Sequence, residues 1–169
     1  LLKVEDLRTH FFTRSGVVKA VDGISFEIKP GETLGIVGES GSGKSMTAWS
    51  ILGLVPQPAG RIVGGRILFR GEDLLTKSDS EMRDIRGKEI CMVMQDPLTS
   101  LNPVFTVGEQ LLECLRMDVG RTTRGLLAKA TDLLVNVKIP APESRITAYS
   151  HQMSGGMRQR VVGAIALAR

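Results

Sequence analysis

The chain has 169 residues, 42% apolar and 24% charged, the make-up of an ordinary globular protein with room for one real core. A net charge of +4 at pH 7 suits an anionic ligand or a membrane surface, and most of these charges read as a solvated surface. No apolar run reaches the roughly 20 residues that span a bilayer, and the opening Leu1-Leu2-Lys3-Val4-Glu5-Asp6 carries charge where a signal peptide is apolar. A start on Leu1 rather than Met reads as a partial sequence.

In chain order, residues 2–12 predict a strand ending in Phe11-Phe12, and Thr13-Arg14-Ser15-Gly16 predicts a turn. Residues 17–28 continue as strand, with Val18, Ala20, Ile24, Phe26 and Ile28 largely two apart. The apolar run 33–37 predicts a buried strand. Residues 44–54 predict a helix stopped near Pro56 and Pro58. Next come a strand at 65–69, a turn at 70–73, and a short helix at 78–85 capped by Ser78 or Ser80. A second buried strand is expected at 90–94.

From Thr106 the period becomes helical. Helices are expected at 107–116, with Leu111, Leu112 and Leu115 on one face, and at 126–137, closed by Pro140 and Pro142. A last helix is expected at 156–168. The order predicts an α/β fold with a β-rich N-terminal layer and an inserted helical lobe. The expected parts are 1–96, 97–150 and 151–169. Cys91 and Cys114 share no metal-ligand spacing and have apolar neighbours, so two buried free thiols of a cytosolic protein are expected.

The loop Gly38-Glu39-Ser40-Gly41-Ser42-Gly43-Lys44-Ser45 fits the pattern G-x-x-x-x-G-K-[ST], between a predicted strand and a predicted helix. Its glycines let backbone N–H groups turn inward on phosphate oxygens. Lys44 brings a mobile positive charge to the β- and γ-phosphates, and Ser45 offers a hydroxyl to Mg²⁺. The helix that begins there adds its N-terminal dipole. The loop specifies a nucleoside triphosphate without separating kinases, GTPases and ATPases.

The run Ser154-Gly155-Gly156-Met157-Arg158-Gln159-Arg160 separates them. A serine and two glycines at a helix start free N–H groups and a hydroxyl as an anion site. Together with the phosphate loop, SGGMRQRVVGAIALAR resembles the signature and signature helix of ABC transporter nucleotide-binding domains, a P-loop NTPase fold. The resemblance covers essentially the whole chain. The run Gln95-Asp96-Pro97-Leu98-Thr99-Ser100-Leu101-Asn102-Pro103 is similar to the dipeptide, oligopeptide and nickel importer branch, as are GESGSGKS and AVDGISFEI.

The resemblance implies ATP and Mg²⁺ as ligands, with ATP contacts over residues 38–46, including Met46. It implies that Gln95 is the Q-loop glutamine near Mg²⁺ and the attacking water. It implies that Phe11 or Phe12 stacks on adenine, a role any π-face can fill. Ser154, Gly155, Gly156, Met157 and Gln159 would cap the ATP of a partner ATPase subunit in a head-to-tail homo- or heterodimer. Membrane permease subunits and, indirectly, a periplasmic solute-binding protein are the further implied partners. Nucleic acid is not expected. The implied place is the cytoplasmic face of the inner membrane, and the implied activity is ATP hydrolysis coupled to transport.

Two departures within the motifs are small, and a larger one lies at the end of the chain. Met153 stands where Leu is usual and Ser150 where this branch often has Pro, whereas Met157, where many other transporters have Gln, is similar to the importer branch. His151 reads as a structural or surface histidine. The family's Mg²⁺-binding Asp, its general-base Glu and its switch histidine have no counterpart up to Arg169. The chain is therefore expected to bind ATP without hydrolysing it efficiently alone. The competing expectations are a soluble ABC-type ATPase with no membrane partner, and a non-hydrolysing fragment.

Overall fold

The alternation of the first 28 residues builds two long strands, β1 (Leu2–Thr13) and β2 (Gly16–Ile28), joined by the expected tight turn. The structure is a computed structural model that describes residues 1–94, 100–116 and 123–169. It divides into two compact units, Leu1–Ile90 and Cys91–Arg169.

In the first unit, β3 (Gly60–Phe69) and the short β4 (Glu72–Asp73) complete a four-stranded antiparallel sheet in the order β2-β1-β3-β4. β1 is an inner strand, and its register runs from Leu2 opposite Phe69 to Phe11 opposite Gly60. Val4, Leu7, Val21, Ile67 and Phe69 of the sheet pack with Leu74 and Met82 into one core. α1 (Lys44–Ile51) follows the glycine loop, and α2 (Asp79–Ile85) follows a short 3₁₀ turn. Ser78, one of the two expected caps, starts α2. Its hydroxyl accepts from the Glu81 N–H, and the Glu81 carboxylate accepts from the Ser78 N–H and hydroxyl.

The two buried strands expected at 33–37 and 90–94 are not formed. Residues 32–39 have no regular structure, and Ile36 and Val37 are 50% and 93% exposed. Residues 91–94 are likewise irregular, with Val93 and Met94 exposed, and Ile90 lies outside any strand, with an isolated bridge to Arg86 and turn hydrogen bonds to Ile85 and Gly87. A strand exists only where neighbours take its N–H and C=O groups, and among the described residues no strand pairs with these runs.

The second unit is helical. α3 (Val107–Arg116), α4 (Thr123–Asn136), α5 (Pro142–Arg145) and α6 (Gly155–Ala166) surround a core that includes Leu111, Leu115, Leu134 and Val161. Pro142 does not end a helix as expected. It opens α5 at the first helical position, where its missing N–H costs nothing. Cys91 is exposed and donates to the Ala166 carbonyl at 3.1 Å, so the expectation of two buried thiols fails there. Cys114 is half-buried, and that burial pushes its thiol above the ordinary value. Among the described residues no helix is long and apolar enough to cross a membrane.

Candidate functional site

The first unit carries the phosphate-loop residues and both Phe11 and Phe12. Gly43 is the N-cap of α1, with φ of 91°. This left-handed value favours glycine, and a Cβ there would overlap the Ala20 carbonyl of β2. The loop can therefore lie directly against the sheet, with α1 leaving it at once. No side chain caps this helix, and no acidic residue stands in its first turn. The first N–H groups and the positive end of the helix dipole remain available to an anion.

The Lys44 ammonium folds back over the loop. It donates to the carbonyls of Gly38 at 2.8 Å and Glu39 at 2.6 Å, and to the Ser42 hydroxyl at 3.3 Å. One flexible cation thus gathers three oxygens at the start of α1. Phosphate oxygens are stronger acceptors than carbonyls for such a group. Ser45 is exposed in the first turn, so its hydroxyl is within reach of solvent and of a bound ion. Glu39, Ser40, Gly41 and Ser42 are also exposed, while Met46 turns inward and packs on the sheet core.

Helix α1 is anchored by polar groups that the sequence reading did not single out. Thr9 of β1 and Ser50 of α1 are fully buried, and their hydroxyls meet at 2.8 Å. Ser50 also donates to the Met46 carbonyl, and Thr47 to the Gly43 carbonyl. Buried hydroxyls demand partners, so these bonds fix where α1 lies on the sheet. The available signal was a Thr and a Ser spaced by three on the helix face below the glycine loop.

The two phenylalanines differ. Phe11 is half-buried and lies two residues beyond Thr9, on the face of β1 that meets α1. Its ring reaches over Gly60, where a Cβ would come within 2.8 Å. Phe12 lies on the opposite face, 47% exposed, with the Arg61 guanidinium 5.7 Å from its ring centre.

The second unit carries Ser154, Gly155, Gly156, Met157 and Gln159. Ser154 is the N-cap of α6 and accepts from the Met157 N–H at 3.3 Å. Gly155 and Gly156 face open space. Met157 packs against the helical core and Gln159 is exposed. The helix start is held from below by buried Met153, and by Arg160 donating to the Lys138 carbonyl at 2.8 Å. His151 is exposed and stacks on Tyr149 with ring centres 5.5 Å apart. Gln95 lies outside the described residues.

Known proteins resemble the chain over nearly all of its length. The family described as ABC transporter matches residues 21–169. A probable peptide ABC transporter ATP-binding protein of Sinorhizobium fredii is 51% identical, over 99% of this chain and 50% of its own length. The oligopeptide transport ATP-binding protein of Bacillus subtilis is 50% identical, over 99% of this chain and 47% of its own. The chain thus spans about half the length of the curated relatives it matches. Among solved structures, a dimeric bacterial ABC transporter cassette superposes with a TM-score of 0.86 at 25% identity, over 99% of this chain and 69% of its own.

Proposed function

The chain belongs to the ABC transporter family of ATP-binding domains, and on that premise we propose that it is the MgATP-binding part of a subunit energising import of peptides or a related solute such as nickel. The loop 38–45 carries the reading. It joins an uncapped helix N-terminus, a glycine pressed on the sheet and a lysine held at its mouth. The peptide and oligopeptide transport relatives support the solute class.

In this reading the triphosphate lies along the loop N–H groups and the start of α1. The Lys44 ammonium exchanges the Gly38 and Glu39 carbonyls for β- and γ-phosphate oxygens. Mg²⁺ neutralises phosphate charge when bound. The exposed Ser45 hydroxyl, a hard oxygen donor, fits that ion, and Gln95 is proposed as its second protein contact. Phe11 is the adenine platform, because it shares the β1 face that meets α1, whereas Phe12 faces away against Arg61. None of these residues serves as general base. Their roles are binding, orientation and charge neutralisation.

Residues 97–150 form the helical lobe that meets the permease, and 151–169 carry the signature. Ser154, Gly155, Gly156, Met157 and Gln159 cover the ATP of a second ATPase subunit. Ser154 orders that helix start, and the open glycines let a phosphate approach. The assembly works at the cytoplasmic face of the inner membrane, fed by a periplasmic solute-binding protein. The test is ATPase activity of the full-length subunit assembled with its two permease subunits in proteoliposomes. Peptide-loaded binding protein is expected to stimulate it. Activity indifferent to both permease and binding protein would contradict the importer reading in favour of a soluble ATPase.

A further inference from the structure

Helix α1 ends in a Schellman motif. Leu54 N–H reaches back to the Trp49 carbonyl at 2.8 Å and Gly53 N–H to the Ser50 carbonyl at 3.1 Å, with Gly53 at φ of 62°. This closure leaves the Leu52 and Gly53 carbonyls directed away from the helix. Arg86, the C-cap of α2, takes both. Its Nε donates to the Leu52 carbonyl at 2.7 Å and its Nη2 to the Gly53 carbonyl at 3.3 Å. A Cβ on Gly53 would come within 3.0 Å of that same nitrogen, and the left-handed φ itself favours glycine there. Arg86 also lines a cavity of about 140 Å³ together with Ser50, Ile51, Leu74 and Met82.

We propose that Arg86 is a positioning residue for the phosphate loop: it pins the foot of α1 and so sets where the head of α1 presents Gly43, Lys44 and Ser45. The proposal rests on the reading of the loop as the ATP site. α1 is two turns long, about 12 Å, and too short to absorb a tilt at one end without moving the other. The sheet fixes α1 along its side through Thr9 and Ser50. Arg86 is the tie from α2, more than thirty residues downstream. A planar fork suits two neighbouring carbonyls, and a lysine has one point of attachment to offer. Phosphate recognition is sensitive to displacements of this kind, because its donors act only at hydrogen-bond distance.

The experiment uses the full-length subunit with Arg86→Met and Arg86→Lys, titrated with MgATP and with AMP by calorimetry, alongside thermal melting. The expected result is at least about a fivefold loss of MgATP affinity in Arg86→Met and a smaller loss in Arg86→Lys. AMP affinity should be nearly unchanged, because the defect lies at the β- and γ-phosphates. A merely structural arginine would lower the melting temperature and leave MgATP affinity of the folded protein intact. If Arg86→Met does not fold, Arg86→Lys carries the comparison. Both variants binding MgATP within twofold of wild type would overturn the proposal alone. No binding of MgATP by the wild type would overturn the ATP reading and this proposal with it.

Discussion

At the scale of single residues, the loop depends on two side-chain facts: no atom beyond Cα at Gly43, and an ammonium at Lys44. Gly43→Ala would hold a Cβ against the Ala20 carbonyl in a left-handed conformation. Conformation alone costs about 1–2 kcal/mol, and the overlap adds to it. Urea denaturation of the full-length subunit should show a loss of at least that size. The two phenylalanines give a second prediction. Phe11→Ala should weaken binding of MgATP and of AMP alike, because both carry adenine. Phe12→Ala should leave both within about twofold, since its ring serves Arg61 on the other face. Equal losses from both variants would remove the assignment of Phe11. Residue identity in the loop was readable beforehand because a phosphate cradle needs fixed residue types at fixed spacing. Arg86 was not readable, because its partners are carbonyls of a distant segment, and any residue supplies a carbonyl.

At the scale of elements, strand pairing and caps divide what could be foreseen from what could not. β1 and β2 were readable because a hairpin satisfies its own ladder across a local turn. The runs 33–37 and 90–94 have the same apolar character, yet form no strand among the described residues, because pairing is a property of neighbours. Proline gave the other lesson: Pro142 starts a helix, and whether proline opens or closes depends on which side the helical residues follow. The capping box of α2 is open to test. Bonds from the Ser78 hydroxyl and N–H hold the Glu81 carboxyl below the usual carboxylate range. Its contribution is therefore fully present above the ordinary glutamate value and is lost as pH falls through the lowered one. Glu81→Gln should be less stable than wild type near neutral pH, and the gap should close in acid. Replacing Ser50 by Ala leaves the Thr9 hydroxyl buried without its partner and should cost about 1–3 kcal/mol by the same denaturation measurement.

At the scale of the whole molecule, the proposed function divides the chemistry of an ABC cassette between two units. Leu1–Ile90 carries loop 38–45, and Cys91–Arg169 carries α6 on a core that includes Leu134. The family was legible because a phosphate-loop pattern, which specifies a triphosphate by itself, is followed by SGGMRQR, a modest signal alone. The solute was not legible, because none of the loop, Q-loop or signature residues touches it in the proposed role. Cutting the second core with Leu134→Ala should cost about 2–5 kcal/mol in unfolding. The most direct test is calorimetric titration of the full-length subunit with MgATP, wild type against Lys44→Ala. The prediction is saturable binding by the wild type, at one site per chain, and a loss of at least about tenfold in the variant, since one charge-assisted contact is worth about 1.5–3 kcal/mol. Equal binding by both proteins, or none by the wild type, would contradict the claim that loop 38–45 holds the triphosphate.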